Sequence, residues 1–211
     1  MRFTIVSILL MTAGVVPAQV WELGGAAGAG FSGSPAITGP LGQASAGLAG
    51  GYAAGAALGQ SMGRWAGGEI RYTYRPGDLR LSAGSQEALF KSVTHTIHYD
   101  FLLYAQPLEA RVRPFVAAGG GIRVFRGAGE EHAYQPLQDI ALLTRTQEYK
   151  PLVSFGGGVR VALSRRVFLR LEARDYLTRF PSKVITPAFG AEAPGWLHEI
   201  VPLIGVSFGI E

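Results

Sequence analysis

The chain has 211 residues, which suits a single domain, and it contains no cysteine, which excludes disulfide bridges and thiolate chemistry. Charged residues make up only 16% of the chain, below the roughly 25% of an average soluble domain. The net charge of +4 is modest, and no basic stripe with interleaved aromatic residues occurs, so we expect no nucleic-acid partner.

The first predicted element is a signal peptide. Met1-Arg2 is a short positive start, Phe3–Val16 is uncharged and mostly apolar, and Val16-Pro17-Ala18 supplies the small residues that a signal peptidase reads. A transmembrane anchor is the alternative, but the apolar run is short and a cleavage-like site follows it at once. We therefore predict a signal peptide at residues 1–18 and an exported domain at residues 19–211.

Apolar and polar residues alternate with a period of two in eight successive segments of this domain, a pattern typical of β-strands. The segments are Val20–Ser32, Ala44–Leu58, Trp65–Arg75, Leu89–Ala105, Val112–Arg126, Tyr149–Ser164, Val167–Phe180 and Leu197–Ile210. The clearest one places Leu169 and Leu171 on one face and Arg170 and Glu172 on the other. A half-buried soluble sheet would also alternate, but that alternative weakens over eight segments in succession.

The connections between the segments alternate between long and short. Long loops therefore collect at one end of an up-and-down meander, as in a transmembrane β-barrel with short periplasmic turns and long extracellular loops. Each segment is long enough for the roughly 9–11 residues that a tilted strand needs to cross a bilayer. Since lipid cannot satisfy backbone hydrogen bonds, the sheet must close on itself. The predicted fold class is all-β: an eight-stranded antiparallel up-and-down transmembrane β-barrel.

Four stretches carry a family resemblance: PFVAAGGGIRV (residues 114–124), PLVSFGGGVRV (151–161), FLRLEARDY (168–176) and the closing VPLIGVSFGIE (201–211). With the signal peptide, they make the chain similar to the small eight-stranded outer-membrane barrels, the outer-membrane-protein-A-like and opacity-protein-like group. The resemblance implies a location in the bacterial outer membrane, with the barrel-assembly machinery and outer-membrane lipid, including lipopolysaccharide, as partners. Such barrels usually end on an aromatic residue, whereas here Phe208 is followed by three more residues.

The two GGG triplets need a structural explanation. A phosphate-binding loop would require a helix after the glycines, but β-branched residues follow both triplets and continue the strand. An eight-stranded barrel is only just wide enough inside for its own side chains. We therefore predict that Gly119, Gly121, Gly156 and Gly158 clear room in the lumen for long side chains on facing strands and let the sheet curve.

Charged residues on the inward faces must be paired, since breaking a buried pair costs about 3–5 kcal/mol. We predict a charge network in the lumen that joins the ladder on segment seven to charged residues on segments one, three and four. Its members are Glu22, Glu69, Arg71, His98, Asp100, Arg170, Glu172 and Arg174. In the alternative, some of these side chains lie in wet space near a rim, so whether the lumen conducts stays open.

Residues 44–63 allow a second interpretation. Gly47, Gly51, Gly55, Gly59 and Gly63 recur every fourth residue, as in the glycine zipper of a membrane helix. The same residues also obey the two-residue period, which favours a strand. The sequence does not decide between the two, although a helical hairpin would break the barrel count.

The sequence predicts no catalytic residues, no metal ligands and no cofactor. His98 and Asp100 share one face, but nucleophilic catalysis also needs a serine held against the histidine and an oxyanion site, and no such pattern is visible. His95 and His98 are three residues apart, which on a strand sends them to opposite faces, away from a shared ion.

The long-loop end carries cationic residues and one apolar patch. The cationic residues predicted to meet the phosphates of an anionic outer leaflet are Arg75, Arg80, Lys91, Arg145, Lys150 and Arg179. The longest loop contains the apolar run Ile140–Leu143. If the protein binds anything outside the cell, we expect this loop and Pro181–Trp196 to form the surface, but no residue identifies the ligand.

These observations favour an integral outer-membrane barrel with a plugged polar lumen, a structural or adhesion-like surface role and no catalysis. One alternative is a soluble exported barrel that binds a small hydrophobic ligand, which would hold apolar residues inside and charges outside. The other is a lipid A-modifying outer-membrane enzyme, which would need His98 and a serine or threonine near the headgroup plane.

Overall fold

The computed structural model describes residues 21–132, 134–188, 190–193 and 195–210. The signal peptide predicted at residues 1–18 lies outside the described residues. The described residues form these strands: β1 Trp21–Ser32, β2 Ala36–Gly39, β3 Gly42–Leu48, β4 Gly51–Met62, β5 Ala66–Ala83, β6 Gln86–Tyr104, β7 Val112–Gly127, β8 Ala141–Leu143, β9 Gln147–Ala162, β10 Val167–Arg179, β11 Ile185–Pro187 and β12 Trp196–Ile210. No helix in these ranges is long and apolar enough to cross a membrane.

Eight of the strands form a closed antiparallel ring. Their order is β5, β4, β1, β12, β10, β9, β7, β6, and β6 pairs again with β5. Each ring strand pairs with the next ring strand along the chain, and β12 closes on β1, with Trp21 opposite Ile210. Closure leaves no sheet edge in the ring with unpaired backbone groups. The predicted eight-stranded up-and-down barrel is confirmed.

The connections divide the barrel into two ends, which we call the turn end and the loop end. At the turn end, residues 63–65, 105–111 and 163–166 join ring strands directly. At the loop end, the connections contain the hairpin β2–β3, the short strands β8 and β11, and the projecting tip of the β5–β6 hairpin. The connections at the turn end are short and three of the four at the loop end are long, as predicted, but the fourth, between β5 and β6, is only two residues long.

The predicted segment Ala44–Leu58 is wrong as a single strand. β3 ends at Leu48, which pairs with Leu79 in the loop-end half of β5. A separate strand, β4, begins at Gly51 and pairs with the other half of β5, from Tyr74 toward the turn end. The break lets the chain change face, because Leu48 is buried at the loop end whereas Tyr52 lies exposed on the outer wall.

The glycine-zipper helix does not form in residues 44–63. Gly51, Gly55 and Gly59 lie in β4 and face the barrel interior, where a Cβ on Gly51 would come 2.9 Å from the Pro76 carbonyl oxygen and one on Gly55 would clash with the Tyr72 carbonyl. Gly63 lies in the following turn with a φ of 76°. The glycines serve close approach between neighbouring strands rather than between helices.

The predicted loop between segments three and four is also strand. β5 continues to Ala83 and β6 begins at Gln86, so the connection is a tight turn that contains Gly84 with a φ of 57°. The hairpin tip alternates like the strands below it. Its inward side chains are apolar, whereas Arg80 and Glu87 on the outer face form a salt bridge of 2.6 Å.

The two faces of the barrel wall have opposite polarity. On β10, Leu171 is 48% exposed on the outer face, whereas Arg174 is fully buried inside. Exposed apolar side chains cover the outer wall, and Trp21 and Trp65 near the turn end and Trp196 at the loop end lie at its margins, where aromatic girdles occur in membrane barrels. Phe208 and Ile210 share this outer face. The predicted orientation, with apolar residues outward, is confirmed.

A second core closes the loop end, and we call it the loop cap. It packs side chains from the hairpin β2–β3, the β5–β6 tip, β8, β11 and the ends of the ring strands. Its buried apolar residues are Ile37, Ala44, Ala46, Leu48, Leu79, Leu81, Ala88, Phe90, Phe125, Ile140, Ala141, Leu143, Phe180, Val184, Ile185 and Leu197. Three residues of the apolar run expected to form a binding surface, Ile140, Ala141 and Leu143, are therefore buried in this core, and only Leu142 is exposed.

Candidate functional site

Six acidic and basic side chains meet in the middle of the barrel, and we call this cluster the central tier. Glu69 and Arg71 come from β5, Asp100 comes from β6, and Arg170, Glu172 and Arg174 come from β10. All six point inward because they share the polar face of their strands, and all are buried. Three carboxylates face three guanidinium groups, so the cluster is formally neutral.

Glu69 is the hub of the central tier. Its Oε1 accepts hydrogen bonds from Nη2 of Arg71 and Nη2 of Arg174, both at 2.8 Å. Its Oε2 accepts one from Nη1 of Arg170 at 2.6 Å. One carboxylate therefore contacts all three arginines of the tier.

Glu172 and Asp100 complete the pairing. Oε1 of Glu172 lies 2.6 Å from Nη1 of Arg71, and its Oε2 accepts from Nη2 of Arg170 at 3.2 Å and from Nη2 of Arg174 at 3.1 Å. Oδ2 of Asp100 accepts from Nη1 of Arg174 at 2.6 Å. Each arginine thus bridges at least two carboxylates, which is the kind of pairing that buried charges require.

His98 lies beside this cluster rather than within it. Its Nε2 is 3.2 Å from Oδ2 of Asp100, and its ring packs edge-on against Tyr176 at 5.2 Å between centroids. Ser154 donates to the same Asp100 oxygen at 3.5 Å. Asp100 therefore lies between the serine and the histidine, and its carboxylate is already paired with Arg174.

Glu22 belongs to a separate cluster near the turn end. It pairs with Arg160, whose Nη2 donates to Oε2 of Glu22 at 2.8 Å, and it accepts a bond of 2.6 Å from Ser207. The Arg160 guanidinium also stacks on Phe168 at 3.5 Å. We call this cluster the turn-end tier. The predicted residues are thus distributed over two clusters.

Sequence reasoning missed a third cluster, the loop-end tier. Nε of Arg75 lies 2.9 Å from Oε1 of Glu199, and Arg123 forms an ion pair with the other oxygen of the same carboxylate. Nη2 of Arg75 also donates to the Ala49 carbonyl at 2.6 Å. Arg75 is fully enclosed, so the expectation that it meets lipid phosphates at the rim is wrong.

The sequence contains a signal that could have placed Arg123 and Arg160 in the lumen. Arg123 stands two residues after Gly121, and Arg160 stands two residues after Gly158, so each shares the inward face of its glycine triplet. Because β7 and β9 are antiparallel, the repeated motif places one arginine near each end of the lumen. Glu199 likewise alternates with the outward residues His198 and Ile200.

The four lumen glycines lie beside the network on neighbouring strands. Gly119 and Gly121 of β7 are opposite Asp100 and His98 of β6, and a Cβ at Gly121 would come 2.6 Å from Cβ of His98. The clearance is therefore lateral, between adjacent strands, whereas the sequence suggested clearance across the lumen.

The other glycine pair repeats this arrangement on β9. Gly156 and Gly158 are opposite Arg174 and Glu172 of β10. A Cβ at Gly156 would lie 2.5 Å from Cδ of Arg174, and one at Gly158 would lie 2.8 Å from Cβ of Glu172. Any side chain at these positions would displace the ladder of β10.

The other cationic residues predicted at the rim lie outside the lumen. Arg80, Lys91, Arg145 and Arg179 are exposed at the loop end, and Arg179 stacks on Trp196 at 4.3 Å. Lys150 is half-buried and pairs with Glu148 at 2.7 Å. No group of three or more histidine, aspartate or glutamate side chains among the described residues could hold a metal ion.

No protein-family model and no curated protein matches the sequence. Solved structures match the fold. Neisserial surface protein A is 13% identical with a TM-score of 0.56, over 90% of this chain and 96% of that chain. OprG from Pseudomonas aeruginosa, an outer membrane protein, is 10% identical with a TM-score of 0.55, over 92% and 96% of the two chains.

A third match is the outer membrane protein AlkL, solved in DMPC lipid bilayers. It is 12% identical with a TM-score of 0.50, over 100% of this chain and 97% of that chain. At these identities the likeness concerns the fold alone. The chain has the fold of the small outer-membrane β-barrels.

Proposed function

We propose that the chain is an integral protein of the bacterial outer membrane, exported by a signal peptide at residues 1–18, with a plugged lumen. Its role is structural or one of surface interaction, such as adhesion, and it carries out no catalysis. Its partners are the barrel-assembly machinery during insertion and outer-membrane lipid, including lipopolysaccharide, afterwards.

The observation that carries this proposal is the polarity of the barrel wall. Leucine, isoleucine and aromatic side chains lie exposed on the outside, while arginine and glutamate are buried inside. In water this arrangement would expose a large apolar surface and bury charge, both of which are costly. In a bilayer the same surface contacts hydrocarbon, and closure of the ring pairs every ring strand with two neighbours.

Three stacked charge tiers and the loop cap support a plugged lumen. A cavity of about 20 Å³ lies beside Arg71, Arg170 and Glu172, and another of about 20 Å³ lies between Glu22 and Glu69. A cavity needs roughly 10–15 Å³ to hold one water, so each has room for about one molecule. Above them the loop cap packs apolar side chains over the loop end.

The alternatives receive less support from the interior. A soluble barrel for a hydrophobic ligand would hold apolar residues inside and charges outside, the reverse of the observed wall. A lipid-modifying enzyme would need His98 near the headgroup plane with a hydroxyl held against it. His98 is enclosed in the lumen, and its Nε2 lies 3.2 Å from a carboxylate oxygen of Asp100.

Cell fractionation combined with gel electrophoresis of boiled and unboiled samples tests the location. We expect the protein in the outer-membrane fraction, with the unboiled sample migrating differently because the closed barrel resists detergent. A protein recovered in the soluble periplasmic fraction would overturn the proposal. For the plug, planar-bilayer recordings should show no steady conductance, and a stable open channel would contradict it.

A further inference from the structure

A groove runs down the outer wall of the barrel where β5, β6 and β7 lie side by side. It encloses about 450 Å³ and is lined by apolar surface, including Ile70, Ile97, Tyr99, Ile122 and Val124. Gly120 of β7 faces outward and lies opposite Tyr99 of β6. Because Gly120 has no side chain, the outer wall is open at this position and the groove forms there. Its walls face the region that hydrocarbon occupies in the proposed membrane location.

A polar and cationic pocket continues the groove toward the loop end. It encloses about 270 Å³, shares His95 with the apolar groove, and is lined by Tyr74, Arg126 and Arg145 among others. Both arginines are exposed, and neither guanidinium forms an ion pair within the described ranges. The Arg145 backbone N–H donates a hydrogen bond of 2.6 Å to the Glu131 carboxylate, so one carboxylate also lies near this pocket.

His95 marks the boundary between the two parts. Its Nδ1 lies 2.8 Å from the hydroxyl of Tyr72, and its ring packs against Tyr74 at 5.5 Å between centroids. Along the wall the pairs run from Arg126 beside Val93, through Val124 beside His95, to Gly120 beside Tyr99. Positive charge, a polar aromatic band and an apolar trough therefore follow one another in order of depth.

The groove has the dimensions of one leaflet. From Arg126 to Gly120 the strand runs about 20 Å at roughly 3.4 Å per residue. At the usual tilt of about 40° this corresponds to a depth of about 15 Å. The hydrocarbon core of a bilayer is about 30 Å thick, so the groove crosses half of it. A lipid of the leaflet at the loop end can place its headgroup at the arginines and an acyl chain in the trough.

We propose that this groove is a binding site for one molecule of lipid A, with a phosphate held by Arg126 and Arg145 and an acyl chain lying over Gly120. The proposal rests on the proposed function, because it requires the loop end to face the outer leaflet. Charge complementarity selects an anionic headgroup, and two arginines that line the same pocket suit a phosphate. Lipid A is the phosphate-bearing lipid that the outer leaflet offers.

Native mass spectrometry of the folded barrel in detergent, titrated with lipid A, tests the site. We expect one lipid A to be retained per chain, with weaker retention of phosphatidylglycerol and none of phosphatidylcholine. Replacing both arginines, R126A with R145A, should weaken binding about 30-fold, since each basic residue near a charged lipid surface contributes a factor of about five. The matched control R80A with R165A removes the same charge from exposed arginines elsewhere and should leave binding within twofold.

Filling the trough gives an independent test. Gly120→Leu places a side chain where the acyl chain lies, and its Cβ would lie 3.2 Å from the Leu152 carbonyl oxygen, so β7 and β9 must shift apart by a few tenths of an ångström there. Ala118→Leu adds the same side chain two residues away on the same outer face, outside the groove. We expect G120L to lower lipid A retention at least tenfold and A118L to leave it unchanged.

The possible failures are distinguishable. Equal binding by all variants, or equal affinity for phosphatidylglycerol and lipid A, in a barrel that is heat-modifiable would overturn this site and leave the membrane location intact. A protein that fractionates as soluble would overturn both. Heat-modifiable migration of each variant shows that a loss of binding does not come from misfolding.

Discussion

The lumen and the loop cap are two cores of opposite chemistry in one chain. In the lumen, the paired arginines and carboxylates of the three tiers dominate, beside smaller apolar clusters that include Leu152, Val201 and Leu203. Above them, the buried side chains are leucine, isoleucine, phenylalanine and alanine, with charges such as Arg80 and Glu87 outside. The surroundings explain the difference. Where the wall contacts hydrocarbon, apolar groups gain nothing by facing inward, whereas in the cap, which water surrounds, they do.

The changeover between the two cores is abrupt. On β7 the inward residue changes from Arg123 to Phe125 over one two-residue step, and on β12 it changes from Glu199 to Leu197. The Arg123 guanidinium lies over the Phe125 ring at 4.9 Å. Because Arg123 pairs with Glu199, these two strands change polarity at a common level, which in the proposed membrane location is where the wall leaves the bilayer.

The largest effect is expected from breaking the lumen hub. Glu69→Ala leaves three buried arginines with fewer carboxylates, and breaking such a pairing costs about 3–5 kcal/mol. Urea unfolding of the barrel in lipid vesicles, monitored by tryptophan fluorescence, measures the loss. A change below 1 kcal/mol would show that the lumen charges are solvated rather than mutually dependent.

Truncating a buried apolar side chain in the loop cap should lower the free energy of unfolding by a comparable amount, but we expect the loss of structure to be confined to the cap. Leu143 of β8 is buried, and a change from leucine to alanine at a packed site costs about 2–5 kcal/mol. Because the cap has its own core, we expect Leu143→Ala to make residues 128–146 sensitive to limited proteolysis while heat-modifiable migration persists. Loss of the closed barrel in this variant would show that the two cores fold as one unit.

The same substitution on the outer face of each region should have unequal effects. Leu171→Arg places a charge on the membrane-facing wall of β10, which costs about 2–4 kcal/mol near mid-bilayer. Leu89→Arg places it on the exposed tip of the β5–β6 hairpin, where surface changes stay within about 0.5 kcal/mol. Unfolding in vesicles compares the two. Equal costs would contradict the assignment of lipid and water to the two regions.

The smallest effect is expected at an exposed ion pair. Glu87→Ala removes the partner of Arg80 at the hairpin tip, and exposed pairs contribute about 0–1 kcal/mol. The same unfolding measurement, carried out beside Glu69→Ala, makes this variant the matched control for the loss of one carboxylate. A cost close to that of Glu69→Ala would remove the distinction between lumen and surface charges.

The sequence determined the barrel through its period of two. Alternation located seven of the eight ring strands and the inward face of β10, because the side chains of a strand alternate between two surroundings, and it merged β4 with β3. The same rule could have assigned Arg123, Arg160 and Glu199 to the interior. The rule lost accuracy near Ala49, where a break between two strands shifts the alternation by one residue.

Tertiary structure alone decided the pairing and the cap. Alternation shows that Glu22 and Glu69 both face inward, but only the strand register places Glu22 beside Arg160 and Glu69 among three arginines. The sequence of the apolar run Ile140–Leu143 does not show whether these side chains are exposed or buried. Its burial depends on the hairpin β2–β3 and the β5–β6 tip folding over it. The alternation of residue types along a strand determines which face of the sheet a side chain occupies. The register between strands that are distant in sequence determines which side chains it contacts on that face.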